Sequence, residues 1–368
     1  MTLIALIIFL LYIILIIRYK IGWRLNFQSN DIIDFHPTVS VIIALRNEEP
    51  RIDKLIQQLE IQNYPNDYFN IICINDHSTD KTLELLRQKK CHNLIVLDMK
   101  DGEYGKKNAI LKGVQASTSE IVITTDADCD FSKYWIQTIV SYFKDNGVKL
   151  VSGPVKFNEK SGIFNNLQSL EFYSLIGSGA GAIGINSPIF CNAANMAFRR
   201  KVFFECSKSL NNKIASGDDV FLLHAIKRLY PKGISFALDN SAIVTTQPVK
   251  NFNSFFNQRK RWAGKSIFYK DINTLYVSFL VLFTNLFLVC FFVFSFFDYI
   301  SFLYFILFYI IKTTIDILFL FPVLNFLKRL DLVKWIFPFE LFYSFYIVVI
   351  SIISIFSSYK WKGRTYKN

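Results

Sequence analysis

The sequence predicts an α/β domain built on a parallel sheet, with transmembrane helices on its N- and C-terminal sides. Three observations lead there. Short β-branched runs alternate with helical stretches between about residues 37 and 250, polar residues gather just after those runs, and long apolar segments flank the region. Composition agrees, since 52% of the 368 residues are hydrophobic and only 19% are charged, below the roughly 25% of an ordinary soluble domain. Mean hydropathy is +0.30, too high for a disordered chain, and no collagen-like repeat is present.

Leu3 to Ile17 is unbroken apolar sequence that stops at Arg18, Lys20 and Arg24. No basic segment precedes it and no small-residue cleavage site follows, so residues 1–20 read as an anchor and not as a secretory leader. Basic residues on its C-terminal flank place the next segment in the cytoplasm.

The domain expected over residues 37–250 starts with a strand at Thr38–Ala44, then Asn47-Glu48-Glu49-Pro50 and a helix through Ile52, Leu55, Ile56 and Leu59. A second strand, Phe69–Ile74, ends at Asn75-Asp76 and precedes a helix from Asp80 to Gln88. Leu94–Leu97 is a third strand, Lys106–Ala116 a helix, and Glu120–Thr125 a fourth strand ending in Asp126-Ala127-Asp128. This alternation is that of a parallel sheet covered on both faces. Open α/β sheets bind ligands beyond the carboxyl ends of their strands, so Asp76, Asp126 and Asp128 should line one crevice.

Two carboxylates on one turn are hard oxygen donors suited to Mg²⁺ or Mn²⁺, whose remaining positions go to water and phosphate. A D-x-D triplet alone is also a common solvated turn; its place after an apolar strand favours the site. Gly217-Asp218-Asp219 opens the helical stretch Val220–Leu229. Acids there either complement the helix dipole or supply a general base.

Residues 251–270 carry Gln258-Arg259-Lys260-Arg261-Trp262 beside Phe252, Phe255 and Phe256, the mixture of an interfacial helix. Gln258, Arg261 and Trp262 share one helix face, where amide, guanidinium and indole suit a diphosphate and a sugar ring. Arg259, Lys260 and Lys265 point instead to anionic lipid headgroups.

Apolar segments at 275–297 and 300–322 form a hairpin turning near Asp298, and Lys312 and Asp316, four apart, neutralise each other within it. That pair either serves a function or holds the bundle together. The segment 335–357, interrupted by Pro338 and Glu340, either spans or is re-entrant, and a basic tail fills 358–368. Gly177 to Ala182 imitates a dinucleotide fingerprint but follows an amphipathic stretch instead of a strand. It is expected to be a flexible or membrane-skimming segment near an acceptor site. The six cysteines and four histidines show no metal-ligand spacing and no disulfide framework. The net charge of +12 gathers at membrane flanks without any nucleic-acid module, so nucleic acid is not an expected partner.

In order, Asp76 in NDHSTD, Asp126-Ala127-Asp128, Gly217-Asp218-Asp219 and QRKRW resemble the D, D-x-D, (E/D)-D and Q-x-x-R-W series of membrane-bound family-2 glycosyltransferases. That group includes cellulose, chitin and hyaluronan synthases and ceramide glucosyltransferases. The resemblance covers about Val39 to Gly264, with support from Arg46-Asn47-Glu48, Gly105-Lys106-Lys107-Asn108 and Asn195-Met196-Ala197-Phe198-Arg199-Arg200. It implies the Rossmann-like glycosyltransferase-A fold and an inverting hexosyl transfer from a nucleotide-diphospho-sugar, UDP-linked. It further implies that Asp76 contacts the nucleoside, that Glu48 and Lys107 also serve the donor, and that Asp126 and Asp128 hold the Mg²⁺ or Mn²⁺. Asp219 would be the base, with Asp218 beside it where many relatives have Glu. Gln258 and Arg261 would steady the diphosphate, and Trp262 would floor the acceptor site.

A lipid or glycan acceptor, contact with membrane lipids, and a bacterial inner (plasma) membrane location with the catalytic domain in the cytoplasm follow from the same resemblance. Few C-terminal spans and a short chain favour a single transfer to lipid over a processive polysaccharide synthase, which is the alternative. A non-catalytic nucleotide-sugar-binding protein is a third reading. A transporter is disfavoured, because nearly all the suggestive carboxylates lie outside the apolar segments.

Overall fold

Val, Ile and Leu crowd the first strand run so densely that neither face is left polar, the pattern of a strand covered on both sides. In the computed structural model this run is β1 (Val39–Leu45), buried almost throughout. The structure describes residues 2–27, 35–207, 218–265, 268–356, 359–361 and 364–366. The chain runs α1 (Thr2–Leu25), β1, α2 (Ile52–Glu60), β2 (Phe69–Asn75), α3 (Thr82–Gln88), β3 (Leu94–Asp98), α4 (Lys106–Ala116) and β4 (Ile121–Thr125). It continues through β5 (Asp130–Phe131), α5 (Trp135–Ser141), β6 (Leu150–Ser152), β7 (Val155–Phe157), α6 (Ile163–Gly184), β8 (Met196–Arg199) and α7 (Arg200–Ser207). Then follow α8 (Asp218–Leu229), β9 (Ile234–Phe236), β10 (Val244–Thr246), α9 (Phe252–Ala263), α10 (Ile272–Phe294), α11 (Tyr299–Phe326) and α12 (Val333–Phe356). A small hairpin, β11 (Tyr359–Trp361) with β12 (Arg364–Tyr366), comes last; within the basic tail, Lys362 and Lys367 lie outside the described residues.

These elements divide into two compact units: a sheet unit, Leu25–Asn158 with Pro188–Gln247, and a helical unit, Met1–Arg24 with Glu159–Ser187 and Pro248–Asn368. In the sheet unit seven strands run in the order β3-β2-β1-β4-β8-β6-β9. The pairs β1–β2, β1–β4 and β2–β3 are parallel, with Val39 opposite both Phe69 and Ile121. The wholly parallel expectation fails at β8, which runs antiparallel to both β4 and β6. Its direction follows from its entry point. The hydroxyls of Thr124 and Thr125 donate to the carbonyls of Ala193 (2.8 Å) and Ala194 (2.9 Å), so the turn before β8 is fastened to the carboxyl end of β4. The strand therefore starts where β4 stops and runs back. Asn195 closes the same corner: its side chain accepts from Trp135 Nε1 at 3.0 Å and donates to the carbonyls of Pro154 and Ala242, each at 2.8 Å. A second sheet, β5-β10-β7, stands beside the first within the unit.

Among the described residues the helical unit contains four helices long and apolar enough to cross a membrane: Thr2–Leu25, Ile272–Phe294, Tyr299–Phe326 and Leu330–Ser354. Ala5 and Phe9 of α1 pack with Leu288, Phe291 and Phe308, the Phe9 and Phe308 rings stacking at 4.2 Å. Buried among these helices, Lys312 Nζ lies 2.9 Å from Asp316 Oδ2 and also pairs with Glu340, while the Tyr12 hydroxyl donates to Asp316 Oδ1 at 2.7 Å. Glu340, which interrupts its apolar run in the sequence, is thus a partner of Lys312.

The Gly177–Ala182 stretch is not a flexible segment; it lies inside α6, and most of it is buried. Its glycines let helix backbones touch. A Cβ on Gly181 would lie 2.5 Å from the Tyr19 carbonyl oxygen, and one on Gly22 would lie 2.0 Å from the Gly181 oxygen. Small residues at a helix–helix contact permit this approach, which explains the glycine spacing without any nucleotide.

Candidate active site

The parallel strands β1, β2 and β4 end at one edge of the sheet, and the residues just past them form the site. Asp76, following β2, is 4% exposed. Its backbone N–H donates to the Leu45 carbonyl at 2.7 Å, and its carboxylate accepts the Gly105 N–H at 3.1 Å. Gly105 has φ +94° and precedes α4, a backbone conformation that a side chain would strain. Asn47 and His77, past β1 and β2, also have positive φ, of 54° and 55°. The Asn47 side chain offsets this by accepting the Thr79 N–H at 2.8 Å, and its own N–H donates to Ser78 Oγ at 3.0 Å. Strained backbone gathers where a ligand must be met by fixed loops. The His77 ring faces Tyr104 at 4.5 Å, adding an aromatic pair beside Asp76 that the sequence did not single out.

Beyond β4, Asp126 pairs with Lys106, the neighbour of the expected Lys107. Asp128 Oδ2 accepts from the Thr246 hydroxyl at 3.2 Å, so β10 supports it from the second sheet. Burial raises the Asp128 carboxyl above the usual carboxylate range, the Asp126 and Glu48 charges push the same way, and Arg51 and the Thr246 bond oppose them. Glu48 is itself 8% exposed, pairs with Arg51, and its N–H donates to Thr82 Oγ1 at 2.8 Å.

Asp219, in the first turn of α8, reaches the same edge. Its Oδ2 accepts the Ala193 N–H at 3.3 Å, and Ala193 is the residue whose carbonyl takes the Thr124 hydroxyl at the end of β4. Its Oδ1 accepts the Val220 N–H at 2.9 Å. The carboxylate is thereby oriented from two sides. Gly217 and the side chain of Asp218 lie outside the described residues.

The sheet unit therefore brings Glu48, Asp76, Lys106, Asp126, Asp128 and Asp219 to one edge. Gln258, Arg261 and Trp262 belong to α9 in the helical unit. There the buried cation is Arg259, 2% exposed, against its expected role at lipid headgroups. Its Nε donates to both Glu171 oxygens, at 2.9 and 2.8 Å, and its guanidinium lies over the Phe255 and Trp262 rings at 4.3 and 4.4 Å. Tyr346 donates to the same Glu171 at 3.1 Å. Gln258 Oε1 accepts from Arg259, so the amide is turned toward its neighbour. A helical wheel cannot show that Glu171 stands opposite.

Among the described residues no group of three or more His, Cys, Asp or Glu is arranged to hold a metal ion. The donor chemistry nevertheless fits a divalent ion that is completed by water and diphosphate. Two carboxylates on one turn supply hard oxygens, and the like charges that raise Asp128 are what a cation would relieve.

Residues 40–207 match the family described as glycosyl transferase family 2. Asp76, Asp126 and Asp128 fall inside that span; Asp219 and the α9 residues fall beyond it. The chain is 27% identical over 241 residues to glycosyltransferase AglE of Haloferax volcanii, covering 62% of this chain and 72% of that one. It is 26% identical over 245 residues to a poly-β-1,6-N-acetyl-D-glucosamine synthase of Staphylococcus epidermidis, covering 63% of this chain and 56%, little more than half, of the synthase. Among solved structures, mannosyltransferase PcManGT from Pyrobaculum calidifontis, in complex with GDP-Man and Mn²⁺, superposes with a TM-score of 0.61 at 16% identity and 96% coverage of each chain. At that identity the likeness speaks to fold.

Proposed function

We propose, from the match of residues 40–207 to glycosyl transferase family 2 and the glycosyltransferase-A type of fold, that the enzyme is membrane-bound and moves one sugar from a nucleotide-diphospho-sugar to a lipid-borne hydroxyl, with inversion. The observation that carries this is the meeting of Asp76, Asp126, Asp128 and Asp219 at one sheet edge, in a chain whose described residues include four helices of spanning length.

In this reading residues 37–250 are catalytic and 251–270 form an interfacial helix. Arg18, Lys20 and Arg24 keep the domain on the cytoplasmic side of the plasma membrane. Asp76 holds the nucleoside, and Asp126 and Asp128 hold Mg²⁺ or Mn²⁺. When bound, that ion supplies Lewis-acid neutralisation of the diphosphate. Asp219 takes the proton of the acceptor hydroxyl, the oxygen forms a bond to the anomeric carbon, and the bond from that carbon to the diphosphate breaks. Gln258 and Arg261 steady the leaving nucleoside diphosphate, and Trp262 meets the acceptor. UDP-linked donors are the first choice by the family resemblance; the GDP-Man held by the Pyrobaculum mannosyltransferase puts GDP-linked sugars on the same panel. The synthase among the relatives favours a second reading, processive polymer synthesis in the cell envelope.

The test is the purified full chain in nanodiscs of bacterial lipid, given UDP- and GDP-linked sugars with and without a chelator. The expected product is a lipid heavier by one hexose or aminohexose, lost on chelation. No transfer from any donor refutes the reading; a polymer ladder selects the synthase instead.

A further inference from the structure

The helical unit holds a partly open cavity of ≈ 120 Å³, smaller than the roughly 300–1,000 Å³ that takes a whole drug-sized molecule. Its walls come from α1, α6 and α9 to α12. Much of the lining is apolar, including Leu15, Ile16, Val281 and Leu320, and suits an alkyl chain. The rest consists of carboxylates and hydroxyls: Glu171, Asp316 and Glu340, with Tyr12, Ser174 and Ser178.

No described lining residue is Lys, Arg or His. The two cations of this cluster stand behind the wall. Lys312 is 1% exposed and pairs with Asp316 and Glu340, and Arg259 is 2% exposed and pairs with Glu171. Three carboxyl groups thus meet two cations, and the groups turned to the cavity are hydrogen-bond acceptors with no cation among them. Each ionised carboxylate accepts up to about four hydrogen bonds, so oxygen lone pairs remain for hydroxyl donors beyond those used by Tyr12 and Lys312. A phosphate head would bring negative charge against carboxylates in a low-dielectric wall and meet no cation to balance it.

We propose that this cavity binds the head of a lipid, a head that carries hydroxyl and no negative charge. The site selects its ligand by charge, accepting an uncharged lipid and rejecting the phosphorylated form of the same lipid. The binding is independent of the transferase reading. Only if the bound lipid is also the acceptor does it rest on that reading, in which case the acceptor is likewise uncharged.

The test places the full chain in phosphatidylcholine nanodiscs doped equally with diacylglycerol and phosphatidic acid of the same acyl chains, then quantifies by mass spectrometry the lipid that stays bound on detergent extraction. Diacylglycerol should be retained at least ten-fold over phosphatidic acid. Val281→Trp, which fills the apolar wall, should cut that retention five-fold or more, and Leu320→Trp on another helix should do the same, so that one misfolded variant does not decide the result. Equal or greater retention of phosphatidic acid overturns the proposal, as does undiminished diacylglycerol in the folded variants. Donor turnover in the same preparation separates the two ideas. Transfer without retained lipid sinks the cavity site and leaves the enzyme; retained lipid without any transfer supports the site and sinks the transferase reading. With donor present, glycosylated diacylglycerol marks the lipid as acceptor and unmodified diacylglycerol marks it as resident, and either supports the site.

Discussion

Lys312→Met removes the one cation between two carboxylates. In the native chain Lys312 is 1% exposed, and Asp316 and Glu340 are 8% and 5% exposed, so bulk water replaces little of the lost partner. Breaking a buried pair from one side costs about 3–5 kcal/mol. Here two acids lose the same partner, which places the expected loss near ~5 kcal/mol. Glu340→Gln is the contrasting change. It leaves the Lys312–Asp316 contact at 2.9 Å and the Tyr12 hydrogen bond at 2.7 Å in place. Its expected effect is that of one altered hydrogen bond, about 1 kcal/mol. The assay is thermal unfolding of the full chain in detergent, followed by circular dichroism at one scan rate. At roughly 2–4 °C per kcal/mol, Lys312→Met should lower Tm by about 10 °C or more and Glu340→Gln by a few degrees. The neutral triple variant, Lys312→Met with Asp316→Asn and Glu340→Gln, should recover most of the loss. An unchanged Tm in Lys312→Met, or a larger loss in Glu340→Gln, would refute the reasoning.

Asp219→Asn should lower kcat by about 10²–10⁴-fold with donor Kd nearly unchanged, because the amide still accepts from Ala193; a dead Asp218→Asn beside an active Asp219→Asn reverses the two roles. Asp128→Ala should remove the metal-dependent part of donor binding measured by calorimetry, and full donor affinity with metal dependence intact would sink the assignment. Gly181→Leu forces atoms into a gap where a Cβ already lies 2.5 Å from the Tyr19 oxygen; a loss of about 1–3 kcal/mol should show in the unfolding curve, and a native Tm would contradict the close contact.

What was legible in the sequence shares one property: it is local. The run Thr38–Ala44 differs from β1 by one residue at each end, because a strand buried on both faces is marked by its own side chains. The acids past β2 and β4 were likewise visible by position. What the sequence hid depends on partners far along the chain. Arg259 meets Glu171 across 88 residues, Lys312 meets Glu340 across 28, and Tyr12 meets Asp316 across 304. No wheel or period reports such pairs. The direction of β8 was hidden for the same reason, since it is set by where Thr124 and Thr125 fasten the preceding turn. At Gly177–Ala182 the spacing was legible but its cause, the neighbouring backbone of α1, was not.

The 304 residues between Tyr12 and Asp316 also set a timetable during synthesis. At about 5–20 residues per second, α1 leaves the ribosome roughly 15–60 s before the helix that carries its partner. On the proposed membrane placement, the residue waiting in the bilayer in that interval is a tyrosine, whose lone hydroxyl is far cheaper to leave unmatched than a charge. The ionised groups arrive late and close together: Lys312 with Asp316 on the same helix, then Glu340 on the next. Each acid therefore finds its cation within a single helical hairpin. On the same placement, a chain with the lysine moved to α1 would leave a bare charge in the membrane for the whole delay, exposed to misinsertion and to quality-control proteases.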